Sequence, residues 1–153
     1  VSGSGMAVGA ALALRDEKSK LIALAVLGDG DFLMNASAIW TAVNQGIPLL
    51  IVVVNNHSFY NDEVHQESVA RERNRPVENK HVGIVMNGPD IDVSSIAQGF
   101  GAISYGLLSS PAEVKKAMIN ALDVFDSGGV AVVEIEAAKG YAPSMENAMR
   151  SPG

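Results

Sequence analysis

The run Leu49-Leu50-Ile51-Val52-Val53-Val54 contains no polar side chain and stops at Asn55-Asn56. A strand that is apolar on both alternating faces must be covered on both, the condition of a strand inside a parallel sheet flanked by helices. A second near-continuous run, Leu21 to Leu27, ends at Gly28-Asp29-Gly30, and a helical stretch separates the two. One carboxylate, two carboxamides and a glycine-rich backbone therefore meet at the carboxyl ends of neighbouring strands, where open α/β sheets bind their ligands.

The alternation continues along the chain. Small residues over 4–15 predict a helix, and Leu21–Leu27 a buried strand. A helix from Leu33 to Gln45, carrying Leu33, Ile39, Trp40 and Val43, is stopped by Gly46 and Pro48. Pro48–Val54 is the clearest strand; Phe59–Arg73 is charged and partly helical. Residues 74–91, with Pro76, Gly83, Gly88 and Pro89, read as a long loop. Asp92 caps a short helix through Gln98, and Gly101–Leu107 forms a strand. Ser110-Pro111-Ala112-Glu113 supplies a cap, a proline at the first helical position and a capping-box acid for a helix to Phe125. Gly129–Glu136 is the closing strand. The order predicts an α/β fold, a doubly wound, Rossmann-like, mostly parallel sheet with helices on both faces in three layers.

With 153 residues, 48% of them hydrophobic, the chain can bury the core of a single domain and is too short for two typical ones. Its formal charge of −6 offers no basic patch to a nucleic acid and argues against an anionic membrane surface. The absence of cysteine excludes disulfides, thiolate catalysis and cysteine-based zinc sites. No segment resembles a cationic signal peptide, and the apolar runs are too short or too interrupted to span a bilayer, so a cytoplasmic location is expected. The opening Ser2–Leu14 lacks a polar lead-in and is poor in large side chains, which suits close packing against a sheet or another chain. A fragment of a larger enzyme, or a subunit needing a partner, is expected.

The residues at the strand ends suit a hard divalent cation holding a diphosphate. Magnesium takes oxygen ligands in near-octahedral geometry, usually one or two carboxylates with substrate phosphates and water. Asp29 supplies the charge, and Gly28 and Gly30 let the backbone turn and approach phosphate oxygens. The helix that follows aims free N–H groups at the same place. Asn56 adds a neutral amide oxygen, and the backbone carbonyl of Ser58 completes the protein share; Asn55 is expected to hold the loop. Gly-Asp-Gly alone is more often a plain turn, and Asn-Asn after a strand is equally weak. Their joint occurrence on consecutive strands favours the site.

Gly28-Asp29-Gly30, the helix through Trp40 and Asn55-Asn56 together resemble the signature of thiamine diphosphate-dependent enzymes, with residues 31–54 filling the interval. The likeness is strongest to the diphosphate-binding domain of the acetohydroxyacid synthase and 2-oxoacid decarboxylase group. Phe32-Leu33-Met34 and Ile47 to Val54 look like acetolactate synthase-like proteins, and Gly3–Ala13 resembles the preceding helix. The resemblance implies thiamine diphosphate and Mg2+ as cofactors, Asp29 and Asn56 as side-chain metal ligands and Ser58 as a backbone ligand. Gly28, Gly30 and Asp31 would line the diphosphate. Position 31 is often serine in the family; an aspartate there is expected to contribute its N–H and turn its carboxylate away. The implied chemistry is decarboxylation of a 2-oxoacid, or its joining to a second carbonyl. It depends on a glutamate of a separate pyrimidine-binding domain, in a homodimer or tetramer. By itself this chain is expected to show little or no turnover.

In related decarboxylases the helix after the paired asparagines faces the reactive carbon and can carry an acid. Asp62 stands at about that place, with His65 one helical turn from Asn61 or Asp62 and within reach of proton relay. For either residue singly, a solvated helix face is the commoner case. His57 and His81 read as loop residues, and Trp40 and the methionines as core or interface packing. A receiver domain would also gather acids at strand ends, yet Leu50–Val54 and Gly101–Leu107 supply neither its phosphoacceptor nor its lysine. The stronger rival is a separate-chain or non-catalytic thiamine diphosphate-binding subunit.

Overall fold

A computed structural model describes residues 3–141. Val1-Ser2, which precede the helix predicted over 4–15, and residues 142–153 lie outside that range. The described elements are α1 (Gly3–Asp16), β1 (Leu24–Gly28), α2 (Asp29–Met34), α3 (Ala38–Asn44), β2 (Leu49–Asn55), α4 (Tyr60–Glu72), α5 (Val93–Gly99), β3 (Ile103–Leu108), α6 (Pro111–Asp126) and β4 (Val130–Glu136). The strands form one four-stranded parallel sheet in the order β1-β2-β4-β3.

Helix placement follows from the right-handedness of parallel crossovers. The chain moves from β1 to β2 and on past β4's position to β3, with α2, α3 and α5 on one face. It then steps back from β3 to β4 with α6 on the other. Alternate residues of each strand serve the two cores. Leu49, Ile51, Val53, Val130 and Val132 meet Phe32, Ile39 and Ala97 on the first face, where Val8 and Ala11 of α1 also pack. Leu50, Val52, Ala131 and Val133 meet Ala117 and Ala121 of α6 on the second. The three-layer, doubly wound expectation holds.

The predicted helix Leu33–Gln45 is instead two short helices broken at Asn35-Ala36-Ser37. α2 starts at Asp29 itself, and Asn35 leaves the helix at φ −147°, ψ 39°. Phe32 and Ile39, on either side of the break, are both fully buried. α1 lies tight against β1 because a Cβ at Gly3 would stand 2.8 Å from Leu27 Cδ2. Strand β1 begins at Leu24 rather than Leu21, and it is an edge strand with no fully buried residue rather than the buried strand expected, because Leu24 and Val26 face a side that no described helix covers. The Phe59–Arg73 stretch is helical almost throughout, over Tyr60–Glu72. Trp40 is 55% exposed, so it is not a core residue of this chain.

The predicted capping box on α6 is complete. Ser110 Oγ accepts from Glu113 N at 3.3 Å, and Ser110 N donates to Glu113 Oε2 at 3.2 Å, with Pro111 at the first turn. Asp92 caps α5 through Ser95 N at 2.7 Å. Among the described residues, no helix is long and apolar enough to cross a membrane.

Candidate functional site at the carboxyl rim of the sheet

Register brings the polar strand ends together. Gly28 pairs with Val54 across β1 and β2, and Asn55 pairs with Glu136 across β2 and β4, so Asp29, Asn56 and the end of β4 share one rim. Asp29 is only 4% exposed. Its Oδ1 accepts from Gly30 N at 2.9 Å and its Oδ2 from Ser58 N at 3.2 Å. Among the described residues no basic side chain pairs with it. A buried carboxylate with N–H donors and no counter-charge is an incomplete arrangement, because burying an unpaired charge is costly.

Ser58 N also donates to Asn56 Oδ1 at 3.0 Å, so one N–H holds the carboxylate of Asp29 and the amide oxygen of Asn56 side by side. Ser58 itself is buried, and its Oγ donates to Glu63 Oε2 at 3.3 Å. Met86 N donates to His57 O at 2.9 Å and Phe59 N to Ile84 O at 3.1 Å, tying this turn to the 74–91 loop. Those bonds leave the Ser58 carbonyl out. The structure thus gathers Asp29, Asn56 and Ser58 at one place, with an all-oxygen set carrying one charge, the composition a magnesium–diphosphate pair accommodates. Among the described residues no group of three or more His, Cys, Asp or Glu forms a metal-binding cluster.

The glycines act differently from expectation. Gly28 has an ordinary extended backbone, φ −72° and ψ 160°, so it is not needed for a sharp turn. A Cβ there would meet nothing within 4 Å, and the space above it is open to a ligand. Gly30 is required by a neighbour: its Cβ would stand 2.2 Å from the Phe59 ring. The Asp31 side chain is exposed, in the first turn of α2.

Asn55 is buried. Its Oδ1 accepts from His57 N at 2.9 Å and its Nδ2 donates to Glu134 Oε1 at 2.6 Å. It therefore holds the turn, and His57 takes φ 56° there, in the left-handed region. Glu134 went unnoticed in sequence, although a carboxylate inside Val130–Ile135 was the available signal. Burial pushes its pKa up, opposed by the hydrogen bond from Asn55.

Asp62 and His65 lie on α4, exposed, and no hydrogen bond joins them. The opposite side of the helix carries Glu63, Glu67 and Arg71. There Lys80 Nζ meets Glu67 Oε2 at 2.5 Å and Arg71 Nη2 meets Glu67 Oε1 at 2.7 Å; Asn61, one turn before His65, accepts from Tyr141 OH at 3.0 Å. Asp62, His65 and this network line one open groove of about 1010 Å³, and α4 starts from the Ser58 turn. Asp62 and His65 make no hydrogen bond to Asp29 or Asn56.

Residues 2–135 match the family described as thiamine pyrophosphate enzyme, C-terminal TPP binding domain. The chain belongs to this family. A solved protein from Mycobacterium smegmatis, assigned to the thiamin diphosphate-dependent enzymes, shares 28% identity and a TM-score of 0.68 over 90% of this chain and 22% of its own. The Rhodococcus jostii RHA1 thiamine diphosphate-dependent 4-hydroxybenzoylformate decarboxylase shares 22% identity and a TM-score of 0.70 over 92% of this chain and 23% of its own. Benzoylformate decarboxylase from Polynucleobacter necessarius shares 24% identity and a TM-score of 0.67, over 90% and 23%. These last two likenesses concern the fold. The chain spans under a quarter of the length of these proteins. No curated protein matches it. The narrower likeness to acetolactate synthases is not supported by these structures.

Proposed function

We propose that this thiamine pyrophosphate-family domain binds the diphosphate of thiamine diphosphate through Mg2+, as part of a 2-oxoacid decarboxylase. Carboligation of the acetolactate synthase type is the alternative outcome of the same chemistry. The observation that carries the reading is the buried Asp29 carboxylate, lacking a basic partner among the described residues and held beside Asn56 Oδ1 by Ser58 N–H. In it Asp29, Asn56 and the Ser58 carbonyl hold the metal. Gly28, Gly30 and the Asp31 N–H line the diphosphate, the exposed Asp31 carboxylate staying outside. The cofactor supplies the electron sink for loss of carbon dioxide. The chain's own share is to neutralise and orient the diphosphate, and Asp62 and His65 move protons at the groove beside it. A pyrimidine-binding domain, on the same or a partner chain in a homodimer or tetramer, completes the enzyme.

Calorimetric titration of thiamine diphosphate into the chain, with and without Mg2+, tests the reading. Binding is expected only with Mg2+, and Asp29→Ala is expected to abolish it. Equal binding by Asp29→Ala, or no binding even with the pyrimidine-binding domain added in trans, would overturn the assignment.

A further inference from the structure

Glu134 is a carboxyl group in the interior of the sheet, on a strand flanked on both sides, and 2% exposed. Among the described residues no lysine, arginine or histidine pairs with it. An apolar residue would fill the same volume without the penalty of burying a carboxyl. Its effect is visible in what it touches. Glu134 Oε1 accepts from the Nδ2 end of Asn55 at 2.6 Å, which leaves Asn55 Oδ1 turned toward His57 N at 2.9 Å. That bond holds His57 at φ 56°, a conformation an L residue adopts at a cost. The next N–H, that of Ser58, is thereby delivered to both Asp29 Oδ2 and Asn56 Oδ1. An Asn55 amide turned end for end would set its NH2 against His57 N–H, donor against donor, and the turn would lose its tether; the bond to Glu134 selects against that orientation.

We propose that Glu134 is a positioning residue for the metal and diphosphate site. From β4 it sets the orientation of the Asn55 amide, and through it the turn that presents Asn56 and Ser58 to Asp29. The inference rests on the reading that Asp29, Asn56 and Ser58 hold Mg2+.

The test compares Glu134→Gln and Glu134→Leu in the full chain, with the pyrimidine-binding domain added if the wild type needs it. Mg2+-dependent binding of thiamine diphosphate is measured by calorimetry and thermal unfolding in parallel. Glutamine keeps an acceptor, and its affinity is expected within about 3-fold of wild type, inside the range of conservative outer-shell changes. Leucine keeps the volume and removes the acceptor. Its melting temperature is expected to fall modestly, because Asn55 Nδ2 loses its acceptor, while affinity measured well below that temperature, in fully folded protein, falls about 10- to 100-fold; a merely structural role would leave the affinity of the folded variant unchanged. Adding His57→Gly to Glu134→Leu is expected to restore part of the affinity, since glycine takes positive φ without a tether. If Glu134→Leu does not fold, Glu134→Met carries the same comparison. Wild-type affinity in the folded leucine or methionine variant overturns the inference and leaves the metal assignment standing. Equal binding by Asp29→Ala, or none by the wild type, overturns both.

Discussion

A Cβ on Gly30 would stand 2.2 Å from Cε1 of the Phe59 ring and 2.6 Å from Cδ1, so the ring must shift if residue 30 acquires a side chain. Gly30→Ala is expected to destabilise the chain by about 1–3 kcal/mol, the usual range for overpacking. Phe59→Leu in the same chain should recover part of that loss, as denaturant unfolding of the single and double variants would reveal. Additive losses would mean that Gly30 is needed for some other reason. At Asp62 and His65 the expectation is functional rather than structural, because both side chains are exposed on α4 and make no hydrogen bond among the described residues. Asp62→Asn and His65→Gln should leave stability within about 0.5 kcal/mol and leave Mg2+-dependent cofactor binding intact. Turnover by the enzyme assembled with its pyrimidine-binding domain should fall about 10²- to 10⁴-fold. Unchanged turnover in both would remove them from the chemistry.

Helix α4 has no buried residue and depends on charge contacts more than on a packed face. Its centre is Glu67, whose carboxyl is held down to about 2 by the hydrogen bonds from Lys80 and Arg71; Lys80 is correspondingly raised by Glu67. A depressed carboxylate contributes stability above its unfolded value of 4.5, and that contribution is lost as pH falls from 4.5 toward 2. Amide hydrogen exchange in Tyr60–Glu72 should therefore accelerate over that interval in the wild type. Glu67→Gln should flatten this pH response while leaving the exchange of β2 and β4 unaffected. An unchanged pH response in the variant would place the sensitivity elsewhere. Salt should weaken the same contacts, since they lie near the surface.

Across the whole molecule, the sheet face carrying Val26, Val52 and Val133 is covered unevenly. These three residues stand in register on β1, β2 and β4. Val133 is fully buried beneath α6, whereas Val26 is 63% exposed on the edge strand. α6 packs over β2, β3 and β4, and the apolar side chains of β1 on this face, Leu24 and Val26, remain open. Val133→Ala is expected to cost about 2 kcal/mol, from lost burial plus an unfilled cavity. Val26→Ala should change stability by no more than about 0.5 kcal/mol. Comparable losses from the two in urea titrations would mean that the β1 face is covered in solution.

Periodicity made the strands, most helices, both N-caps and the pairing of Gly28-Asp29-Gly30 with Asn55-Asn56 readable from residue order, because each is set by near neighbours along the chain. Turn chemistry at Asn35 was present in the sequence but was outweighed by the apolar rhythm around it, so two helices read as one. Other features depended on separations that no local pattern encodes. Ser58 N reaches Asp29 across twenty-nine positions, and Asn55 reaches Glu134 across seventy-nine. The need for glycine at position 30 comes from a ring that arrives with the start of α4. Residue order settles which side chains sit at a strand's end, since a strand's length and faces are local matters. Which of those side chains meet, and which are left without a partner, follows from strand register and helix packing, because a hydrogen bond forms only between groups that the fold has brought within about 3 Å.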